Sequence, residues 1–202
     1  MIKYIDKTNL ELKSLEVSFL GLDEKNNKEE IPETTDVTIR FLERRHNYSQ
    51  DIPYKESWSK TYPNILVPTG VWNGMKLGQL SDTKIFVALG THICELNTMN
   101  GEVNWSKNYA DNSIHFIKLT TNNDAMYILY SYYKFNGHDI KSNLIKIDLT
   151  GKVIWSAKTK ERDDSFTSFN YGDNGLSAFT WNCWALKLNE QSGEIVDAKW
   201  TK

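Results

Sequence analysis

Apolar and polar residues alternate with a period of two through much of the second half of the chain. Ile93-Cys94-Glu95-Leu96-Asn97 and Leu144-Ile145-Lys146-Ile147-Asp148 are two such stretches. That period predicts half-buried β-strands. Ile85-Phe86-Val87-Ala88-Leu89, closed by Gly90, is continuously apolar and reads as a strand buried on both faces. Ile114 to Leu119 and the aromatic-rich run Ala125 to Tyr133 add two more strands, split by the polar turn Thr120-Thr121-Asn122-Asn123-Asp124. Tight polar turns end in Gly101, Gly151 and Gly193, each before a returning strand. Glycine in the last turn position supplies the positive φ that such connections need.

The strands recur as a unit. Gly101-Glu102-Val103-Asn104-Trp105-Ser106 is nearly repeated by Gly151-Lys152-Val153-Ile154-Trp155-Ser156, and more weakly by Gly193-Glu194-Ile195-Val196, where Asp197 replaces the tryptophan. Four antiparallel strands per roughly 40–50 residues is the period of a β-propeller blade. Leu144 to Trp155, Ile93 to Trp105 and, in part, Trp184 to Val196 resemble blades of the pyrroloquinoline-quinone-dehydrogenase-like type. In those blades an apolar strand ends in Asp, and a Thr-Gly turn leads into Lys-x-x-Trp. The resemblance implies a fold and no cofactor, because rings of that superfamily have about eight blades. A chain of 202 residues is too short for such a ring.

The N-terminal third departs from the repeat. Leu15 to Leu20 and Val37 to Leu42 alternate like paired strands around the charged tract Asp23 to Thr35. From Asn47 to Thr69, Pro53, Pro63 and Pro68 predict an irregular connection pinned by aromatics. The expected architecture is one all-β antiparallel domain over 1–202, an incomplete or atypical β-propeller. It has about three recognisable blades (57–110, 111–160 and 161–202) and an N-terminal hairpin or capping region, 1–56. A β-sandwich is the alternative.

Composition changes this picture little. Hydrophobic residues at 40% and charged residues at 25% suit a folded core, and seven Trp and ten Tyr suit strands. A net charge of −2 gives no general field for a polyanion. Arg40, Arg44 and Arg45 with Lys158, Lys160 and Arg162 are interspersed with acids, so no nucleic-acid partner is expected. No apolar run reaches the roughly 18 residues of a membrane span. The N-terminus lacks a signal-peptide pattern, and Cys94 and Cys183 form no CxxC pair. Together these lead to a cytoplasmic, reduced chain.

Candidate chemistry is sparse. His46, His92, His115 and His138 show no metal-ligand spacing, and the sequence has no GxSxG, P-loop or GxGxxG motif. No catalytic, cofactor or metal residue is assigned. The expected function is a non-enzymatic scaffold that binds another protein. In its narrower form it is an immunity protein that blocks a cognate bacterial toxin. The acidic candidates for that contact are Glu29, Glu30, Asp163 and Asp164, and the aromatic candidates are Tyr132, Tyr133, Phe135, His138 and Trp181. The other readings are a small hydrolase or lyase with carboxylate chemistry in a propeller-like pocket, and an accessory domain of a larger assembly.

Overall fold

The structure is a computed structural model, and it describes residues 4–10, 13–19, 34–43, 53–67, 75–81, 83–109, 113–131 and 142–201. The described residues form sixteen strands in four antiparallel sheets of four, each sheet a meander in chain order. The protein is therefore all-β, as the alternating pattern predicts. The chain divides into two compact units, Met1–Ser113 and Ile114–Lys202.

The first unit holds β1 (Tyr4–Leu10), β2 (Lys13–Phe19), β3 (Thr34–Glu43) and β4 (Lys55–Leu66) in one sheet. Its second sheet is β5 (Gly78–Leu80), β6 (Ile85–Leu89), β7 (His92–Leu96) and β8 (Val103–Asn108). The predicted pairing of the two N-terminal strands is present, with Leu15 opposite Phe41 and Val17 opposite Ile39. It is flanked by two further strands, so this region is a full sheet and not a hairpin. The boundary drawn at residue 56 falls inside β4. Pro63 is tolerated there because β4 is an edge strand, where a missing N–H costs no ladder bond. Leu15, Val17, Ile39 and Phe41 are buried, and Gly78 of β5 lies so close to Leu15 that a Cβ would come within 2.8 Å of its side chain.

β7 corrects the half-exposed reading of its sequence. Cys94 and Glu95 are both buried, so neither face is open. The Glu95 carboxylate is satisfied by Lys84 Nζ at 3.0 Å, Trp105 Nε1 at 3.0 Å and Asn104 Nδ2 at 3.1 Å. Burial pushes its pKa up, but those three bonds outweigh burial and hold it below the ordinary carboxylate range.

The second unit holds β9 (Ile114–Leu119), β10 (Ala125–Tyr130), β11 (Leu144–Asp148) and β12 (Val153–Ser156) in one sheet. The other contains β13 (Phe166–Gly172), β14 (Gly175–Thr180), β15 (Trp184–Leu188) and β16 (Ile195–Trp200). Tyr127, Leu129, Trp155, Phe169, Leu176 and Leu186 belong to the apolar layer of this unit. Buried Asn143 stitches its two sheets, donating to the carbonyls of Tyr130 and Phe166 and accepting from the Phe166 N–H.

The repeat has a common device. In every sheet the third and fourth strands share a register shift, and just past it lie Trp58, Trp105, Trp155 and Asp197 at equivalent positions. Asp197 is thus the true substitute in the last copy. Trp58 is a fourth member that the irregular reading of residues 47–69 hides. The preceding turns carry Asn97, Asp148 or Asn189, whose Oδ1 accepts the N–H of Met99, Thr150 or Gln191. The turn glycines all have positive φ: Gly101 at 70°, Gly151 at 82° and Gly193 at 74°.

Within each unit, the tryptophan of one sheet lies on the turn glycine of the next. Trp58 donates from Nε1 to Thr98 O at 2.9 Å, and a Cβ on Gly101 would sit 2.7 Å from its ring. Gly101→Ala therefore meets two penalties, a left-handed backbone and a clash with a wedged indole. The expected loss of stability is about 2–3 kcal/mol, checked by urea unfolding. A change under about 0.5 kcal/mol would show that the indole slides aside freely.

Candidate functional site

Of the predicted contact residues, Glu29, Glu30, Tyr132, Tyr133, Phe135 and His138 lie outside the described residues. Asp163, Asp164 and Trp181 are described, and the structure brings them to one corner of the second unit. The link is main-chain: Trp181 N–H donates to Ser165 O at 2.9 Å.

The three residues do different things there. Trp181 follows β14 and is 59% exposed. Asp163 is exposed in the loop before β13. Asp164, named with Asp163 as an acidic contact candidate, is instead buried. Its Oδ1 accepts the N–H of Ser165 at 2.8 Å and of Asn182 at 3.0 Å, so it fastens this loop to the β14–β15 turn. A carboxylate held below the surface by two amides does not meet a partner. Its role is to fix the loop that presents Asp163.

The turn itself, Trp181-Asn182-Cys183-Trp184, is tight, with Cys183 at φ 66°. Further residues join the corner that the sequence did not assign to it. Glu161 accepts from Trp184 Nε1 at 2.8 Å and from Asn182 Nδ2 at 2.7 Å. Those bonds hold its carboxylate below the usual range. Lys160 Nζ sits 3.6 Å above the Trp184 ring, a cation–π contact on the indole face. Trp200, opposite Trp184 across β15 and β16, donates to Asn182 O at 3.3 Å and is 54% exposed. Phe179, on β14, is also exposed.

The result is a corner with three indoles. Trp184 is pinned by Glu161 and Lys160, while Trp181 and Trp200 expose more than half of their surface. Such side chains are costly to leave in water and combine large contact area with few rotors. A sequence signal existed: Trp181, Trp184 and Trp200 bracket the last strands, but their approach depends on the register of β15 with β16.

Of the dispersed basic residues, Arg44 and Arg45 lie outside the described residues. Arg40 bonds Glu56 at 2.7 Å and Glu16 at 3.2 Å, and Lys160 is taken up by Trp184. Among the described residues, no three His, Cys, Asp or Glu side chains are grouped to hold a metal ion, and no helix is long and apolar enough to cross a membrane.

Neither a protein-family model nor a curated protein matches this chain. Among solved structures it is similar to the computationally designed Ika8 protein, with a TM-score of 0.50 and 7% identity. The alignment covers 93% of this chain and 59% of the designed one, so the chain spans about three fifths of its length. At that identity the likeness is one of fold alone.

Proposed function

We propose that the protein is a non-enzymatic, protein-binding scaffold whose contact surface is the Trp181 corner. The four sheets are read as blades of an atypical propeller. Repeated four-stranded meanders and the tryptophan-on-glycine contact within each unit support that reading. The observation that carries the functional part is the exposure of Trp181 and Trp200 on a turn fastened by Asp164, Glu161 and Lys160. A rigidly held aromatic anchor loses little entropy on binding, which is what a contact hot spot requires.

The narrower form of the reading is an immunity protein that covers a toxin's basic cleft. Glu161 and Asp163 beside the indoles supply the carboxylates for that contact. The test is binding of the purified chain to a toxin encoded beside its gene. Trp181→Ala should weaken the complex at least about 30-fold, the scale of a central hot-spot residue. Because the side chain is exposed, the melting temperature should stay within about 2 °C of wild type. Unchanged affinity in Trp181→Ala and Trp200→Ala alike would remove this corner as the contact surface. Failure of any neighbouring toxin to bind would remove the narrower form.

A further inference from the structure

A polar cleft of about 660 Å³ opens in the second unit, apart from the Trp181 corner. It lies among the β9–β10 turn, β11, the β13–β14 hairpin and the β15–β16 turn, and its lining includes Asp124, Lys146, Tyr171, Lys187 and Glu190. Its volume is in the range of small-molecule sites.

Tyr127 packs against two of its lining residues, Tyr171 and Lys146. The ring is fully buried, against Tyr171 at 4.9 Å, Trp155 at 5.8 Å and Phe169 at 5.9 Å between centroids. Its hydroxyl has no hydrogen-bond partner among the described residues. Burial, followed by the charges of Glu190, Tyr171 and Asp124, raises its pKa, so the group stays a phenol with a proton to donate. Tyr171 and Lys146, packed on the Tyr127 ring, stand between it and the cleft. Orphan buried hydroxyls are rare because each costs about 1–3 kcal/mol.

The walls are held in place. Lys146 Nζ donates to Glu190 O at 2.9 Å and lies 5.4 Å over the Tyr127 ring. Trp155 Nε1 donates to the same carbonyl at 3.1 Å. Asp124 Oδ1 accepts from Thr120 Oγ1 at 2.7 Å, and Tyr171 Oη meets Thr121 Oγ1 at 3.2 Å. Glu190 Oε1 lies where a Cβ on Gly175 would be 3.3 Å away, so its carboxylate spans the mouth toward the β13–β14 hairpin.

The charge in the lining decides the ligand class. Two carboxylates, Asp124 and Glu190, offset two ammonium groups, Lys146 and Lys187, so neither an anion nor a cation is favoured. Asn122, Asn189 and Gln191 add amides that both donate and accept. We infer that this cleft binds a neutral, polyhydroxylated ligand of saccharide type, its hydroxyls donating to Asp124 and Glu190 and accepting from Lys146 and Lys187. Sugar hydroxyls are both donors and acceptors, which matches this mixed wall better than a one-sign ligand does.

The experiment is an NMR amide-shift titration of the full chain with glucose, galactose, N-acetylglucosamine, maltose and chitobiose, each to about 50 mM. The range follows from the weak affinity expected of a small ligand in an open cleft. At least one sugar should give saturable shifts at residues 120–124, 146, 171 and 188–191. Asp124→Asn removes one acceptor carboxylate from the wall, so it should bind at least about 10-fold more weakly. Glu190→Gln should lose a similar factor. No response to any of the five sugars overturns the inference. So does an equal response in both variants, or a tighter response to glutamate or choline, which would mark an ionic site. The Trp181 corner is no part of this cleft, so failure here leaves the protein-binding reading standing.

Discussion

Trp155→Ala should destabilise the second unit by about 3–5 kcal/mol, the range for deleting a large buried aromatic. The indole is 8% exposed, with its Nε1 on Glu190 O at 3.1 Å and its ring 5.8 Å from that of Tyr127. It also covers the β15–β16 turn, where a Cβ on Gly193 would fall 2.7 Å from the ring. Packing outweighs the hydrogen bond here. The Glu190 carbonyl keeps its Lys146 donor at 2.9 Å, so losing the indole N–H costs only about 1 kcal/mol. The remainder is cavity and lost burial, since Gly193 has no side chain with which to fill the gap. Trp155→Phe should therefore keep more than half of the stability that Trp155→Ala loses. Urea unfolding followed by hydrogen exchange at β10 and β15 amides checks both values. A loss below about 1 kcal/mol in Trp155→Ala would mean that the glycine contact is incidental.

That contact also shows how far the sequence could be read. The echo of Gly-x-Val-x-Trp marks the turn glycines, and all three have the left-handed φ that their position predicts. Trp58 belongs to the same series, and the dipeptide Trp-Ser recurs at 58–59, 105–106 and 155–156. Pro63 hid it, because proline argues against a central strand and β4 is an edge. Alternation also misled at Glu95. A charged residue at an outward position reads as solvated, yet Lys84, Asn104 and Trp105 close over it.

The candidate site was legible only in part. Trp181 stands out as an aromatic away from the repeat register, and its exposure suits the role assigned to it. Asp164 looked like its neighbour Asp163, because identical side chains in one polar stretch cannot be told apart by type. Chain geometry separates them: one carboxylate turns under the loop to accept two amides, and the other stays in water. Glu161 and Lys160 depend on the position of Trp184, fixed by pairing with β16 some fifteen residues later. The polar cleft gathers residues from positions 120 to 196, a convergence that no local pattern carries.

His115 provides the second large effect, and it is read through pH. The side chain is buried on β9, and its Nδ1 has no hydrogen-bond partner among the described residues. Burial pushes its pKa down from the ordinary value of 6.5 to about 4. The native state thus favours neutral imidazole, while the unfolded chain takes up a proton near pH 6.5. The unfolded state binds more protons between those values, so this contribution to stability is full above pH 6.5 and falls as pH drops toward 4. Below pH 4 both states are protonated and the loss levels off. The whole shift is worth about 3 kcal/mol, of which more than about 2 is lost by pH 4.5. Carboxylates titrate in the lower part of this window too, but Glu95 and Asp148 are held below their ordinary range. Their effect enters below the histidine's and is common to wild type and variant. His115→Gln removes the imidazole titration and leaves theirs. The wild-type stability should fall between pH 7.5 and 4.5 by about 2 kcal/mol more than that of His115→Gln in urea unfolding. An NMR titration of His115 in the folded chain with a midpoint near 6.5, or parallel pH profiles for the two proteins, would show that water reaches the ring and that burial does not set its charge.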